Sequence, residues 1–368
     1  MTSATADGTQ RFRARVSTSL DPSYFNEADG LWLSAIGLGT YLGEADDTTS
    51  MRYEQAIHRA LALGCNVIDT AINYRFQVSE QAVGRALQGV ARDEAFVATK
   101  GGYVPFDRML AQTDEKRFAE AAGAYIERTF IQTGIAEPED FAQGGMHCMT
   151  PRYLAHQVNQ SRANLGLECI DLYYIHNPEG QLGEVAREQF NTRLRAAFEY
   201  LEQAVSAGHI RRYGAATWNG FRQIPSARDY LSLADILACA RAVAGDAHHF
   251  KAIQLPINLA MTEALEHKNQ HVNGRWLSVL DAARELGLMV FASASLLQAR
   301  LSRHLPGALR KSLGADLSDA QRALQFTRSL PGVTCALVGM SDVEHVEENL
   351  RLARLPRLMG AELQKAFA

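Results

Sequence analysis

The sequence predicts an α/β chain: a (β/α)8 TIM barrel with an N-terminal hairpin and an insertion after the third strand. Three observations lead there. Short apolar runs alternate with longer segments of helical period, the pattern of βα units around a parallel sheet. The runs number eight, the count that closes such a barrel through right-handed crossovers. The length of 368 residues suits one large barrel with insertions, since these span roughly 200 to over 400 residues.

Taken in order, residues 1–33 form an N-terminal segment whose first few residues are expected to fray. Within it RFRARV (11–16) and GLWLSA (30–35) are expected to pair as a hairpin plugging the barrel's bottom. The barrel occupies 34–358. Its strands read as SAIGLGT (34–40), NVIDTA (66–71), FVATK (96–100), IDLYYIH (170–176), RRYGAAT (211–217), AIQLPIN (252–258), MVFASAS (289–295) and CALVG (335–339). Helices follow, clearest in MRYEQAIHRALALG, PRYLAHQVNQSRANLG, WLSVLDAARELG and SDVEHVEENLRLA, where apolar residues recur at three and four. Several end in Gly, as helix C-termini commonly do. A doubly wound sheet is the runner-up, but GLGTYLG (37–43) spaces its glycines as GxGxxxG, not GxGxxG.

The third unit is swollen, with fifty residues between Lys100 and Pro151 where a barrel loop normally needs far fewer. We place an insertion at 102–149, with a helix of its own in DEKRFAEAAGAYIERTFIQTG (114–134). Loops after barrel strands open on the catalytic face, so this segment is expected to overhang the site as a lid or specificity element. Residues 359–368 form a C-terminal tail.

Composition narrows the function classes. With 47% hydrophobic and 21% charged residues and a net charge of −4, the chain reads as an ordinary soluble protein with no electrostatic reason to bind nucleic acid or anionic lipid. No run approaches the ~18 apolar residues of a membrane span. Five scattered cysteines without a CxxC pair suggest neither a disulfide framework nor a zinc ribbon, and fit a reducing cytoplasm. No metal site is expected: His267 and His271 are four apart, but no motif supplies a third ligand. Neither a GxSxG elbow nor a Walker A loop is present.

Polar residues at the carboxyl ends of barrel strands meet at the catalytic mouth. The second strand delivers Asp69, with Tyr74 five residues on; the third ends in Lys100 and the fourth in His176. Singly, each has a plain explanation: a strand-end Asp caps the next helix, and a strand-end His is merely hydrogen-bonded. Together they make a proton-delivery set. A buried Lys100 needs a carboxylate, which Asp69 on the adjacent strand supplies. An ammonium ~4 Å from a phenol stabilises its phenolate by ~4 kcal/mol at an effective dielectric of ~20. Lys100 is therefore expected to acidify Tyr74 as general acid, with His176 orienting a substrate oxygen.

IGLGT, the DxAxxY stretch ending at Tyr74, VATK ending at Lys100, DLYYIH ending at His176 and GMSDVEHVEENL near the C-terminus resemble, in order and spacing, the motifs of the aldo-keto reductase family. The similarity runs from about Ala35 to Leu350. It implies a barrel that binds NADP(H) without a Rossmann domain and interconverts carbonyls and alcohols by hydride transfer, with Asp69, Tyr74, Lys100 and His176 as catalytic tetrad. Transferred cofactor positions are Gly39, Thr40, Gln254, Leu296, Ser341, Glu348 and Asn349, with Gln254 toward the nicotinamide amide and Asn349 near the adenine.

The chain departs from the family pattern at several of these positions. Ala216 and Thr217 replace a usual Ser-Asn pair, so the carboxamide contact is expected from Thr217, Asn219 or water. Ser293 stands where a tyrosine stacks on the nicotinamide. His345 replaces a frequent 2′-phosphate arginine, and Asp342 adds a negative charge, so NADP(H) is favoured with NAD(H) as alternative. Ser341 and Glu344 match a capping box at a helix N-terminus, an anion-attracting position. The basic stretch carrying Arg300, Arg303, Arg310 and Lys311 is either a solvated face or folds over the pyrophosphate.

The expected partner is a small carbonyl or alcohol substrate, with Tyr41, Tyr103, Phe106 and Trp218 as candidate pocket lining. Two rivals remain: a nicotinamide-binding regulator or sensor on the same fold, and a redox-neutral lyase using Tyr74 and Lys100.

Overall fold

The computed structural model describes residues 3–314 and 316–364. From the N-terminus, helix α1 (Ala6–Val16) precedes an antiparallel hairpin of β1 (Phe25–Ala28) and β2 (Leu31–Ser34). GLWLSA thus supplies a hairpin strand, but its partner is FNEA. RFRARV is helical. Its alternating arginines imitate a strand's period of two, whereas in α1 Phe12 points to the core, Arg13 stacks on Trp32, and Arg11 and Arg15 pair with Asp93 and Glu94. The decisive turn is Asp29-Gly30, where both residues have positive φ (48° and 74°), the signature of a two-residue hairpin loop. Of the first few residues, expected to fray, 1–2 lie outside the described set; Ser3 and Ala4 are buried, and the Ala4 amide donates to Asp171 Oδ1 at 2.7 Å.

Next come β3 (Ile36–Gly39), α2 (Asp47–Ala62), β4 (Val67–Asp69), α3 (Val78–Ala86) and β5 (Phe96–Gly101). The inserted α4 (Glu115–Ile126) continues into a π-helical turn over Glu127–Ile131. Then follow α5 (Pro151–Leu165), β6 (Leu172–His176), α6 (Arg187–Ser206), β7 (Tyr213–Ala216), α7 (Leu233–Ala244) and β8 (Phe250–Pro256). A short α8 (Glu263–Glu266) leads to an outer hairpin, β9 (Gln270–Val272) and β10 (Arg275–Leu277), and then α9 (Val279–Glu285). The chain closes with β11 (Met289–Ser293), α10 (Gly307–Ser312), α11 (Asp319–Ser329), β12 (Cys335–Gly339) and α12 (Val343–Leu350).

Strands β3 to β8, β11 and β12 form a closed parallel barrel, β12 pairing back onto β3. Each coincides with one of the apolar runs. One helix starts later than its apolar period suggests: Trp276 and Leu277 belong to β10, and α9 begins behind Ser278, whose Oγ accepts from the Asp281 amide at 3.2 Å. At α12 the expected Ser341–Glu344 capping box does not form. Asp342 is the N-cap residue and makes no side-chain cap, because its carboxylate is taken by Arg52, whose Nε donates at 2.7 Å.

Strand alternation explains the interior. Val67, Phe96, Leu172, Ala252, Met289 and Cys335 fill it from below, with Phe96 stacked on Phe291 and Tyr174 edge-on to the same ring. Leu31 and Leu33 of the hairpin join this cluster and plug the bottom. Advancing by twos along β5 leads from Phe96 through Ala98 to Lys100, and along β6 from Leu172 through Tyr174 to His176. The same parity that makes the lower layers apolar delivers the polar residues to the upper rim.

The insertion closes on itself through a short antiparallel base, with Cys148 N donating to Gly102 O and Val104 N to Met146 O. Above it Val104, Phe106, Leu110, Tyr125, Phe130 and Cys148 pack with Tyr153 of α5 as a separate apolar cluster. No helix among the described residues is long and apolar enough to cross a membrane. Of the tail 359–368, residues 365–368 lie outside the described set.

Candidate active site

A cavity of about 950 Å³ opens at the carboxyl ends of the strands, a size usual for ligand pockets. Asp69, Tyr74 and His176 line it. Lys100 is fully buried beneath them. Its Nζ donates to Asp69 Oδ1 at 2.6 Å and to Thr70 O at 2.7 Å, and lies 5.0 Å from the centre of the Tyr74 ring. Asp69 Oδ2 accepts from Gln254 Nε2 at 2.8 Å, so the carboxylate is held from both sides. The structure therefore brings together the strand-end residues Asp69, Lys100 and His176 and, from the turn after β4, Tyr74.

Their electrostatics differ from the expected acidification of Tyr74. Although part of Tyr74 faces the cavity, the protein atoms around its hydroxyl push its pKa well above the usual phenol value, and Asp69 pushes in the same direction. The Lys100 charge does not win because Asp69 sits between the two effects, neutralising the ammonium while repelling a phenolate. Burial also lowers the Lys100 pKa against the pull of Asp69. His176 is driven well below the usual imidazole range by burial, with Lys100 and His147 adding repulsion, so its ring is neutral. Its Nδ1 is buried without a partner. That leaves Nε2 as the nitrogen open to the cavity, and a neutral ring carrying its proton there presents a donor.

Every transferred cofactor position lines this same cavity: Gly39, Thr40, Thr217, Gln254, Ser293, Leu296, Ser341, His345, Glu348 and Asn349. Their hydrogen-bonding capacity tests the fit of a dinucleotide. Gln254 commits its NH2 to Asp69, leaving its carbonyl oxygen to accept from a carboxamide. Thr217 Oγ1 is buried without a partner, and so is Asn349 Oδ1. Unpaired buried groups are costly unless a ligand satisfies them, and a carboxamide and an adenine edge both offer matching groups. Of the two alternatives to Thr217, Asn219 lies off the cavity, its backbone N–H donating to Glu179 Oε1 at 3.0 Å. Thr40, by contrast, is internally engaged, its hydroxyl on Thr70 Oγ1 at 2.8 Å.

The anionic end is more balanced than the sequence suggests. Asp342 lines the cavity, but Arg52 pairs with it; His345 Nδ1 lies 3.6 Å from the same carboxylate. From the basic stretch Arg303 lines the cavity, whereas Arg310 is paired with Asp319 at 3.0 Å. Tyr41, Tyr103 and Trp218 line it as expected, but Phe106 is buried in the insertion's own cluster. His267 and His271 hold nothing in common with the site; His271 lies against Trp276.

Sequence reasoning missed Asn73, Asn177 and Gln298, which also line the cavity. It missed Glu179, whose Oε1 accepts from the amides of Trp218, Asn219 and Gly220 and so pins the loop after β7. Backbone strain marks the mouth as well. Arg75, Phe76 and Gln77, directly after Tyr74, all have positive φ, as do Ala294, Leu297, Gln298 and Ala299 after β11. Such non-glycine conformations cluster at functional sites.

A family model described as Aldo/keto reductase family matches residues 35–240. The chain belongs to that family. Among curated aldo-keto reductase relatives, D-threo-aldose 1-dehydrogenase of Pseudomonas sp is 28% identical over 194 residues, covering 51% of each chain. An aldo-keto reductase of Mycobacterium tuberculosis (strain ATCC 25618 / H37Rv) is 29% identical over 190 residues, covering 50% of this chain and 45% of its own. The chain thus spans about half the length of the curated relatives it matches. Two solved aldo-keto reductase folds superpose over nearly the whole barrel. The Klebsiella pneumoniae aldo/keto reductase, in complex with NADP and acetate, has a TM-score of 0.60 at 21% identity with 92% of both chains covered. The glycerol dehydrogenase of Gluconobacter oxydans reaches 0.62 at 22% identity, covering 94% of both.

Proposed function

We propose that the protein is a nicotinamide-dependent oxidoreductase that interconverts an aldehyde or ketone and an alcohol, with NADP(H) as preferred cofactor and Tyr74 as general acid. The observation that carries this reading is the Lys100–Asp69–Gln254 cluster, at 2.6 and 2.8 Å, lying directly under Tyr74 at a cavity lined by all the transferred cofactor positions. When bound, a reduced nicotinamide supplies the hydride. The residues do the rest. Gln254 and Thr217 orient the carboxamide, and Asn349 meets the adenine. His176 donates from Nε2 to the substrate oxygen. Tyr74, kept protonated by its surroundings, passes its proton to that oxygen as it becomes an alkoxide, a base strong enough to take the proton even from a phenol whose pKa is raised. Lys100 then faces the phenolate so formed.

NADP(H) is supported by the pairing of Asp342 with Arg52, which offsets the charge that would repel a 2′-phosphate, and by Arg303 on the same cavity wall. The D-threo-aldose 1-dehydrogenase relative makes hydroxyaldehydes and sugars sensible members of a substrate panel. All described cysteines are free thiols, which suits the cytoplasm as the site of action.

The test combines binding and turnover. Fluorescence titration is expected to give tighter binding for NADPH than NADH. Stopped-flow mixing of the NADPH complex with carbonyls should then give carbonyl-dependent oxidation. Tyr74→Phe should lower that rate by about 10²–10⁴-fold, the usual contribution of a positioned acid, with the NADPH Kd within about twofold. Binding without oxidation by any carbonyl would favour the sensor reading, no dinucleotide binding the lyase. Undiminished turnover in Tyr74→Phe would reject the assigned acid.

A further inference from the structure

We infer that His147, supplied by the inserted segment, is a positioning residue that holds the end of β6 and thereby sets the imidazole of His176. The inference rests on the oxidoreductase reading only for its consequence on turnover; the positional claim stands on geometry alone. His147 is fully buried, and its Nε2 lies 2.7 Å from the His176 carbonyl oxygen. At this point β5 has left the ladder, since the Gly102 amide donates sideways to Gln157 Oε1 at 2.7 Å. A side chain from the insertion therefore takes the carbonyl at the strand's end.

The protons of this contact are fixed by what stands at its two ends. The His176 carbonyl can only accept, so His147 Nε2 must donate. In a neutral ring Nδ1 is then an acceptor, and it meets Gln181 Nε2 at 3.1 Å. Gln181 is in turn oriented by Arg193, a group that can only donate, whose Nη1 reaches Gln181 Oε1 at 3.0 Å. Arg193 also donates to Glu139 O at 2.7 Å, tying the far part of the insertion to α6. Every hydrogen-bonding group on the route from Arg193 to His176 has one possible role. Burial keeps the His147 ring neutral, with its pKa pushed down to about 4.

Two further features point to the same function. The Tyr103 ring stands edge-on to both imidazoles, 5.2 Å from His147 and 5.0 Å from His176, so His147 supports His176 through a side-chain contact as well as at the backbone. And Gly102, at φ +130°, leaves the space His147 occupies: a Cβ there would lie 2.5 Å from its Nε2. The glycine is required for the histidine to reach β6. Since misplacing a reacting group by about 1 Å can cost about 10²-fold in rate, a brace at the strand end has kinetic consequences without touching substrate.

The test uses the full-length protein and two variants, His147→Leu and His147→Gln. The second retains an amide donor for the His176 carbonyl. Long-range ¹H–¹⁵N imidazole spectra, with His176 assigned through His176→Gln, should show its ring resonances displaced in the Leu variant and restored in the Gln variant. For carbonyl reduction, His147→Leu should lower kcat about 10- to 100-fold with the NADPH Kd within about twofold, and His147→Gln should stay within about threefold of the parent. If His147→Leu does not fold, Gln181→Leu, which removes the donor to Nδ1 together with the acceptor of Arg193 and leaves the His147 ring in place, should displace the same resonances. His176 resonances unchanged in a folded His147→Leu or Gln181→Leu protein would overturn the inference. Displaced resonances in a protein that turns over no carbonyl would uphold it while rejecting the oxidoreductase reading.

Discussion

Lys100 and Asp69 are a buried ion pair whose value lies in what each prevents. Neither reaches solvent to any useful extent, at 0% and 5% exposure. Removing one partner of such a pair strands the other charge, typically at 3–5 kcal/mol. Asp69→Asn is therefore expected to lower the urea unfolding free energy by about 3–5 kcal/mol, and the double variant with Lys100→Met to recover part of that loss. Additive losses in the double-mutant cycle would mean the pair is uncoupled. The places of Asp69, Lys100 and His176 were readable because barrel geometry assigns them before any contact is known, by strand-end position and parity; Tyr74, in the turn after β4, was placed by its spacing from Asp69. Glu179 and His147 were not readable, because each acts across elements, Glu179 on amides some forty residues away and His147 on a strand outside its own segment. The Tyr74 electrostatics were misjudged for a related reason. The attraction of Lys100 can be estimated pairwise, but the crowding around the hydroxyl and the opposing Asp69 depend on the assembled site.

At the scale of elements, the insertion carries its own small core. Phe130 is fully buried and packs on Tyr125, Phe141 and Tyr153 with ring centres 6.0, 6.2 and 5.0 Å away. From the barrel's helices Tyr153 and His156, both on α5, meet it, the latter at 5.6 Å. Phe130→Ala removes an aromatic side chain worth about 3–5 kcal/mol in such settings, and most of that loss should stay local. Hydrogen exchange read by mass spectrometry is expected to rise across residues 102–149 while β4, β5 and β6 keep their protection. Unchanged exchange in the insertion would show that this cluster does not hold it. Elements with a strong local signal were legible, namely the apolar strands and the inserted helix. The N-terminal hairpin was half legible: GLWLSA was read as one of its strands, but the Asp29-Gly30 turn was passed over because the arginine alternation of RFRARV drew attention to the wrong partner. Tertiary pairing with Asp93 and Glu94 settles that segment as a helix.

The whole molecule is polarised along the barrel axis, an apolar plug below and ionisable groups packed above, and this organisation governs its response to acid. His147, buried, and His176, half-buried at the cavity, are both neutral at the upper end, His147 with its pKa depressed from the usual 6.5 to about 4 and His176 well below its own usual value. Between pH 6.5 and about 4 the unfolded chain binds a proton at His147 that the folded chain excludes, so stability falls as pH falls through this window and the loss levels off below it. At about 1.36 kcal/mol per pH unit, the His147 contribution is on the order of 3 kcal/mol. Glu80 and Glu179 act with opposite sign, because burial raises their pKa and the folded state takes up protons first. Their effect cancels when the parent is compared with His147→Gln, which lacks the titrating ring but keeps the amide donor. Urea unfolding of both proteins at pH 7.5 and 4.5 should show the parent losing about 2–3 kcal/mol more than the variant over that interval. Equal losses would mean that His147 takes up its proton in the folded state as readily as in the unfolded one, and the fixed proton order from Arg193 to the His176 carbonyl would then have to be abandoned.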